Sequence, residues 1–408
     1  MQTIDVGAPD ELQHINYIRH LLDGKGFPVL RVDDPELGSN YQSHQPPLYY
    51  LLGAGWSKLF GLNLEPESDT AKVPLRALNI LIGMAGIAAV YYSVLAAFKR
   101  SDFAASAAAV AGLLPMMIAL HGAVTNDPLL FLLFTCTAGM TVFASMNGWT
   151  VKRAVIIGIL AGLACLTKTT GVILLPIIGL GLFLSRNRDS KADAKMWIIA
   201  LAVPILLAAP WWIRNTNLYG DPLGLQLFTS AFQGSPQASA FIEALGGKTY
   251  WVDMVGWWTA RSFVGVFGYM DIFYFETSGG STGAWFYRAM IAVLVGLSIF
   301  ALVKWKSIEN RAKEDEVPNP QMFGWLGGAL FLLTFLFFLR FNSQYFQGQA
   351  RYIYPAILPV AAVIGIGATL LWKNRTQIAW LGVAIFFTAL DYLSYQTITN
   401  AFPLRLGP

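Results

Sequence analysis

The chain has 408 residues, of which 55% are hydrophobic and 13% charged, whereas a soluble globular protein carries about 25% charged residues. That deficit, with a mean hydropathy of +0.51, excludes a soluble enzyme and marks an integral membrane protein. The net charge of +4 reads as loop bias that sets topology, so no nucleic-acid partner is expected. Cys136 and Cys165 lie inside apolar runs without ligand-like neighbours, so neither a disulfide nor a cysteine metal site is expected.

The first 76 residues contain no apolar span and no cleavable signal sequence. Leu12, Ile15, Ile18, Leu21 and Leu22 recur at helical spacing, so residues 11–24 are an amphipathic helix. Asp10 with Gln13 fits a capping pattern at its start, and Gly24 and Gly26 end it. The helix is too short to span and is expected to lie flat on the membrane surface. Residues 27–47 are Pro-, Gly- and Asp-rich loop, Leu48 to Phe60 form a second short surface helix, and Glu65 to Lys72 are polar loop.

Ten apolar segments follow, at about 77–98, 103–121, 127–147, 154–168, 170–185, 196–213, 285–303, 322–341, 351–372 and 377–398. In lipid each must satisfy its own backbone, so each is a helix. The segments 154–168 and 170–185 are short for a hydrocarbon core of about 30 Å. They tilt little, or form one broken re-entrant pair around Lys168. The expected fold is an all-α integral membrane protein, a multi-span helical bundle of about ten transmembrane helices, with short surface helices in an N-terminal external loop. Its parts are an external catalytic loop (1–76), transmembrane helices (77–213), an external loop (214–284), transmembrane helices (285–398) and an external tail (399–408).

Lys99-Arg100, Lys152-Arg153, the run Arg186 to Lys195, the run Lys304 to Lys313 and Lys373/Arg375 fall on one side if the segments alternate. That side is cytoplasmic. Residues 1–76, the loops 215–284 and 342–350 and the C-terminus then lie outside, so either the chain inserts with its N-terminus out or, as is favoured, a further transmembrane helix lies upstream of Met1. Residues 304–320 read as a solvated cytoplasmic linker. All four histidines, His14, His20, His44 and His121, fall on the outer side. Asp10, Glu11, Arg76, Asn126-Asp127, Lys168, Arg214-Asn215, Asp221, Arg261, Asp271, Glu276 and Arg351 join them. The helix middles are nearly free of charge, with Asp391 the main exception. A coupled transporter keeps ionisable residues near the midplane; their gathering at one interface favours a surface-facing active site. Each residue also has a plain structural reading. Asp10 and Asp127 can cap helices, and His14, His20 and His44 can be ordinary surface or loop residues. Lys168 and Arg214 can snorkel, Arg351 can be an anchor, and Trp211-Trp212 with Trp257-Trp258 can form an aromatic belt.

Asp10-Glu11 with His14, followed by His44-Gln45-Pro46-Pro47-Leu48, resemble the first external loop of GT-C glycosyltransferases. The likeness is to protein O-mannosyltransferases and to bacterial transferases that move aminoarabinose or other sugars from a polyprenyl-phosphate carrier. Asn126-Asp127, Gly162-Leu163 with Leu166-Thr167-Lys168, Trp211 through Arg214-Asn215, Tyr219-Gly220-Asp221-Pro222, and Arg351-Tyr352 with Pro355 and Pro359 extend it over residues 9–360. The chain departs from the pattern by Gln45, inserted before the two prolines, where the aminoarabinose enzymes carry Glu-Lys.

The resemblance implies inverting transfer of a sugar from a polyprenyl-phosphate donor to a glycan, lipid or protein acceptor, at the outer face of a bacterial or archaeal plasma membrane. Asp10 would be the general base, and Glu11 would position the acceptor or share that role. Lys168, Arg214 and Arg351 are candidate partners of the donor phosphate, chosen on charge and sidedness. His14, His44, Asp127, Arg261 and Tyr352 are candidate substrate contacts. No metal site is assigned, although Asp10, Glu11, His14 and His44 carry donor types that a divalent ion accepts. The outer loops are expected to form one cavity faced by Asp10 and Glu11, and Lys168→Met is expected to spare folding. The competing readings are an O-antigen ligase or polymerase, whose external loop would need Arg paired with His, a lipid-linked sugar flippase or transporter, and a non-catalytic membrane subunit.

Overall fold

The computed structural model describes residues 8–64, 72–185, 190–275, 281–314, 320–372 and 376–401. The loop from Glu65, Arg186, Glu276, Lys373, Arg375 and the end of the tail lie outside them. Among the described residues the fold is helical, with two isolated bridges, Gln237–Tyr345 and Phe267–Ile272.

Among the described residues seven helices are long and apolar enough to cross a membrane: Val73–Phe98, Asp127–Asn147, Ala194–Tyr219, Ser281–Val303, Gln321–Asn342, Tyr354–Leu371 and Thr376–Ala401. A further pair, Ser101–Leu113 and Pro115–His121, is bent by 63° and is a broken span or a re-entrant loop, so the crossings number seven or eight among the described residues. Pro115 causes the bend. Its ring drives Leu114 out of the helical region to ψ 119° and removes a backbone donor. The expected ten spans are thus too many. Val151–Cys165 has 15 residues, about 22 Å at 1.5 Å per residue, and Thr169–Leu184 is also too short by length. Helix existence followed from apolar runs; crossing depends on helix length.

Small residues set the packing. A Cβ on Gly365 would lie 2.5 Å from the Ala107 backbone nitrogen, so the Tyr354–Leu371 span and the Ser101–Leu113 helix touch backbone to backbone. One turn on, the Thr369 hydroxyl donates to Ser106 Oγ at 2.8 Å, deep inside the bundle.

The first surface helix, Glu11–Leu22, spends its apolar face on protein. Ile15, Tyr17 and Ile18 are buried, and the Tyr17 and Tyr50 rings stack at 3.7 Å against the second helix, Leu48–Leu59. Gly53 allows this approach, since a Cβ there would sit 2.6 Å from Ile18 Cδ1. The helix is therefore docked on its neighbour rather than simply floated on lipid. Long-range bonds then gather the helix ends at one end of the bundle. The Leu48 amide donates to the Leu166 carbonyl at 2.9 Å, and Asn79 donates to the Ala123 and Thr125 carbonyls. The long loop after Tyr219 is folded onto the same end. Tyr250 donates to the Asn342 carbonyl at 2.5 Å, and the Ala350 amide to Ser262 Oγ at 2.8 Å.

Candidate active site

Asp10 precedes the first surface helix at φ 68°, in the left-handed region, and makes no capping bond. The capping pattern is therefore not used, and the carboxylate is directed elsewhere. Oδ1 accepts from the Tyr41 hydroxyl, and Oδ2 accepts from Arg351 Nη2 at 2.8 Å, across 341 residues of sequence. The pair is mostly enclosed, with side chains 20% and 10% exposed. Burial by itself would raise the Asp10 pKa; the Arg351 charge and the Tyr41 hydroxyl outweigh it and hold the carboxyl at about 2.

Tyr41 is aimed by two contacts. Its ring meets Phe232 edge-on at 5.3 Å, and its carbonyl accepts from His44 Nδ1 at 2.6 Å. That bond places the His44 proton on Nδ1 and leaves Nε2 to accept from Gln45 Nε2 at 3.0 Å. Gln45, the residue that departs from the plain pattern, is thereby built into the support of Tyr41.

Arg351 reaches beyond Asp10. Nη2 also donates to Tyr352 Oη at 3.2 Å, while its Nε is buried without a hydrogen-bond partner among the described residues. Lys168 Nζ lies 6.0 Å over the same Tyr352 ring and donates to Asp127 Oδ1 at 2.6 Å. Tyr352 thus bridges two cations, each already paired with one carboxylate. Asp127 lies in the first turn of its span, where Asn126 and not Asp127 is the N-cap; its side chain is 2% exposed.

Lys168→Met is consequently not the mild change the sequence suggests. It would strand the Asp127 charge, and removal of one partner of a buried pair typically costs about 3–5 kcal/mol. The single variant is expected to unfold at lower temperature in detergent. Lys168→Met/Asp127→Asn should regain most of the loss; equal stability of the single variant and the parent would contradict the buried pairing.

His14 is buried, not a surface residue, and shares its Nδ1 with the Tyr50 hydroxyl at 2.9 Å. Burial pushes it down to about 4, although the Asp10 and Asp127 carboxylates oppose the shift. His44 is likewise pushed by burial to about 4. Both therefore take up protons on unfolding between their usual 6.5 and about 4. Their contribution to stability is complete above pH 6.5 and is lost as pH falls towards 4. Thermal unfolding in detergent across that window should show a falling Tm, and His14→Gln/His44→Gln should flatten the slope. An unchanged slope in the double variant would contradict the neutral, buried assignment.

Glu11 and Asp10 are adjacent in sequence yet diverge. Glu11 is 0% exposed. Its oxygens take Arg76 Nε and Nη2, both at 2.8 Å, and the Val124 amide at 2.9 Å. The carboxylate does not face open space as the sequence reading expected; it clamps the surface helix to the start of the Val73–Phe98 span. Arg214 stacks 4.5 Å over Trp211 and donates to the Pro28 carbonyl at 2.7 Å, so it is tied to the loop after the first helix. Arg261 lies among aromatic rings, 4.6 Å from both Trp258 and Phe273. Tyr41, Arg76 and Gln45 were not among the expected site residues. Arg76 at the start of an apolar run was the readable signal; Tyr41 offered none beyond its place in the His44 loop.

Among the described residues no group of three or more His, Cys, Asp or Glu could hold a metal ion. The donors noted from sequence part company. Asp10 goes to Tyr41 and Arg351, Glu11 to Arg76, His14 to Tyr50 and His44 to the Tyr41 carbonyl. Cation-neutralised carboxylates and imidazoles bonded to separate partners do not fit a shared ion.

A family model described as dolichyl-phosphate-mannose-protein mannosyltransferase matches residues 44–213. No curated protein matches the sequence. Among solved structures, the apo oligosaccharyltransferase of Archaeoglobus fulgidus aligns with 97% of this chain and 53% of its own, at 17% identity and a TM-score of 0.58. The oligosaccharyltransferase AglB from the same organism, in complex with an inhibitory peptide and a dolichol-phosphate, gives 97%, 52%, 15% and 0.55. ArnT from Cupriavidus metallidurans, bound to undecaprenyl phosphate, gives 98%, 69%, 14% and 0.53. The chain spans about half the length of the oligosaccharyltransferases it matches. These likenesses show a GT-C fold. With the family match over residues 44–213 they bear out the resemblance read from the sequence.

Proposed function

We propose that the chain is a glycosyltransferase that moves a sugar from a polyprenyl-phosphate carrier to an acceptor hydroxyl, with inversion, at the extracytoplasmic face of a bacterial or archaeal plasma membrane. The acceptor is a glycan, lipid or protein. The observation that carries this reading is Arg351. It holds the Asp10 carboxylate and keeps a buried, unspent Nε donor for a second anion. The dolichol-phosphate of the oligosaccharyltransferase complex and the undecaprenyl phosphate of ArnT support a lipid phosphate as that anion.

In the proposed reaction the acceptor oxygen attacks the anomeric carbon, the bond from that carbon to the phosphate oxygen breaks, and polyprenyl phosphate leaves. One displacement inverts the centre. The acceptor proton passes to Asp10. While Arg351 is paired with it, Asp10 is a weak base, with its pKa held at about 2. A donor phosphate draws the guanidinium charge towards itself, and the hold on Asp10 weakens as the leaving group is stabilised. The same cation thus couples donor arrival to activation of the base. Lys168, oriented by Asp127, supplies the second charge, and Tyr352 spaces the two cations. Tyr41 fixes the angle of Asp10, with His44 and Gln45 behind it. Glu11 acts as a positioning residue through Arg76, and Arg214 anchors the 27–28 loop at the same face. His14 and Arg261 shape the walls.

The test is turnover by purified protein in vesicles, supplied with short-chain polyprenyl-phosphate hexoses and pentoses and with envelope glycans, lipids and peptides as acceptors. Acceptor-dependent release of polyprenyl phosphate with at least one donor is expected, with the product anomer opposite to the donor. Retention of configuration, or no release from any donor, would contradict the proposal.

A further inference from the structure

A groove of about 550 Å³ lies apart from the charged cluster, between the π-helical turn Thr249–Gly256, the start of Trp257–Val264 and the Ser281–Val303 span. We propose that it binds a zwitterionic phospholipid with a phosphoethanolamine head. The span contributes Arg288, Ile291, Ala292 and Val295, a spacing that puts a charged head and an apolar track on one helix face. Arg288 lies about 10 Å along the helix from Ser281, at 1.5 Å per residue. Trp285, 66% exposed, marks the same level as membrane interface.

The charges select the head. The Arg288 guanidinium is exposed, lies 4.9 Å over Trp285 and 5.7 Å over Trp257, and makes no hydrogen bond or ion pair among the described residues. A lone cation on a lipid-facing helix demands an anion, and a phosphodiester matches the guanidinium fork. Asp253 lines the same groove, also exposed and unpaired among the described residues. It would repel a head that is only anionic and would pair with the ammonium of phosphoethanolamine. One chain of the lipid then runs along Ile291, Ala292 and Val295.

The back of the groove bears on the catalytic end without reaching it. The Trp257–Val264 helix carries Trp257 on the groove and Ser262 on the Ala350 amide, next to Arg351. A resident lipid would buttress the helix that holds this backbone. The inference stands independently of the transfer chemistry.

The experiment is native mass spectrometry of the full chain in detergent, with phosphatidylethanolamine and phosphatidylglycerol of identical acyl chains supplied in equal amounts. The parent should retain phosphatidylethanolamine roughly ten-fold better. Arg288→Met should lose that retention, and Asp253→Asn should keep lipid binding while losing the preference. Excess short-chain polyprenyl phosphate should leave the bound lipid in place. Equal retention of the two lipids by the parent overturns the proposal even if no variant folds. Undiminished retention by Arg288→Met, an intact preference in Asp253→Asn, or displacement by polyprenyl phosphate overturns it too.

Discussion

Asp10→Asn is expected to lower sugar transfer by roughly 10²–10⁴-fold, the usual contribution of a positioned general base. The amide keeps the size of the side chain; its one oxygen can accept from Arg351 while its NH2 donates to the Tyr41 hydroxyl, the two partners of the native carboxylate. It cannot take the acceptor proton at neutral pH. The variant should therefore insert and run as the parent does on gel filtration in detergent, while turnover with the active donor collapses. Turnover equal to the parent in folded Asp10→Asn protein would remove Asp10 from the chemistry.

Glu11→Gln should have its largest effect on stability. Arg76 is 3% exposed, and its guanidinium is held by both Glu11 oxygens. Neutralising Glu11 removes the carboxylate that holds both Nε and Nη2 of this buried guanidinium, and removal of one partner of a buried pair typically costs about 3–5 kcal/mol. The fall in Tm should exceed that of any exposed substitution on the same helix. Glu11→Leu/Arg76→Leu should be less harmful than the sum of its singles, because no charge remains stranded. Thermal unfolding of the four proteins of this cycle checks it. Strict additivity would mean that the clamp contributes nothing as a pair.

The two predictions separate neighbouring carboxylates that look alike in sequence. Their divergence was not legible, because it depends on Arg76 and Arg351, 65 and 341 residues away. The left-handed backbone at Asp10 also runs against its capping pattern. His14 misled for a different reason. It shares a helix face with Ile15 and Ile18, and a polar residue on an apolar stripe looks exposed until its partner, Tyr50, is known. The apolar spans were readable because lipid leaves the backbone no other choice. Their number was not, because a short apolar helix inside a bundle has the same composition as a crossing one. The charged end of the bundle could be anticipated from sidedness alone. Which cation meets which carboxylate there is a matter of long-range packing.

Arg351 is the centre of the account, since it is assigned to two anions in turn. The most direct measurement is the affinity of reconstituted protein for short-chain polyprenyl phosphate, by titration, in the parent, Asp10→Asn and Arg351→Lys. If Asp10 and the lipid phosphate share this guanidinium, Asp10→Asn binds the phosphate more tightly than the parent and Arg351→Lys binds it more weakly. Unchanged or weaker binding by Asp10→Asn, or parental affinity in Arg351→Lys, would contradict the sharing.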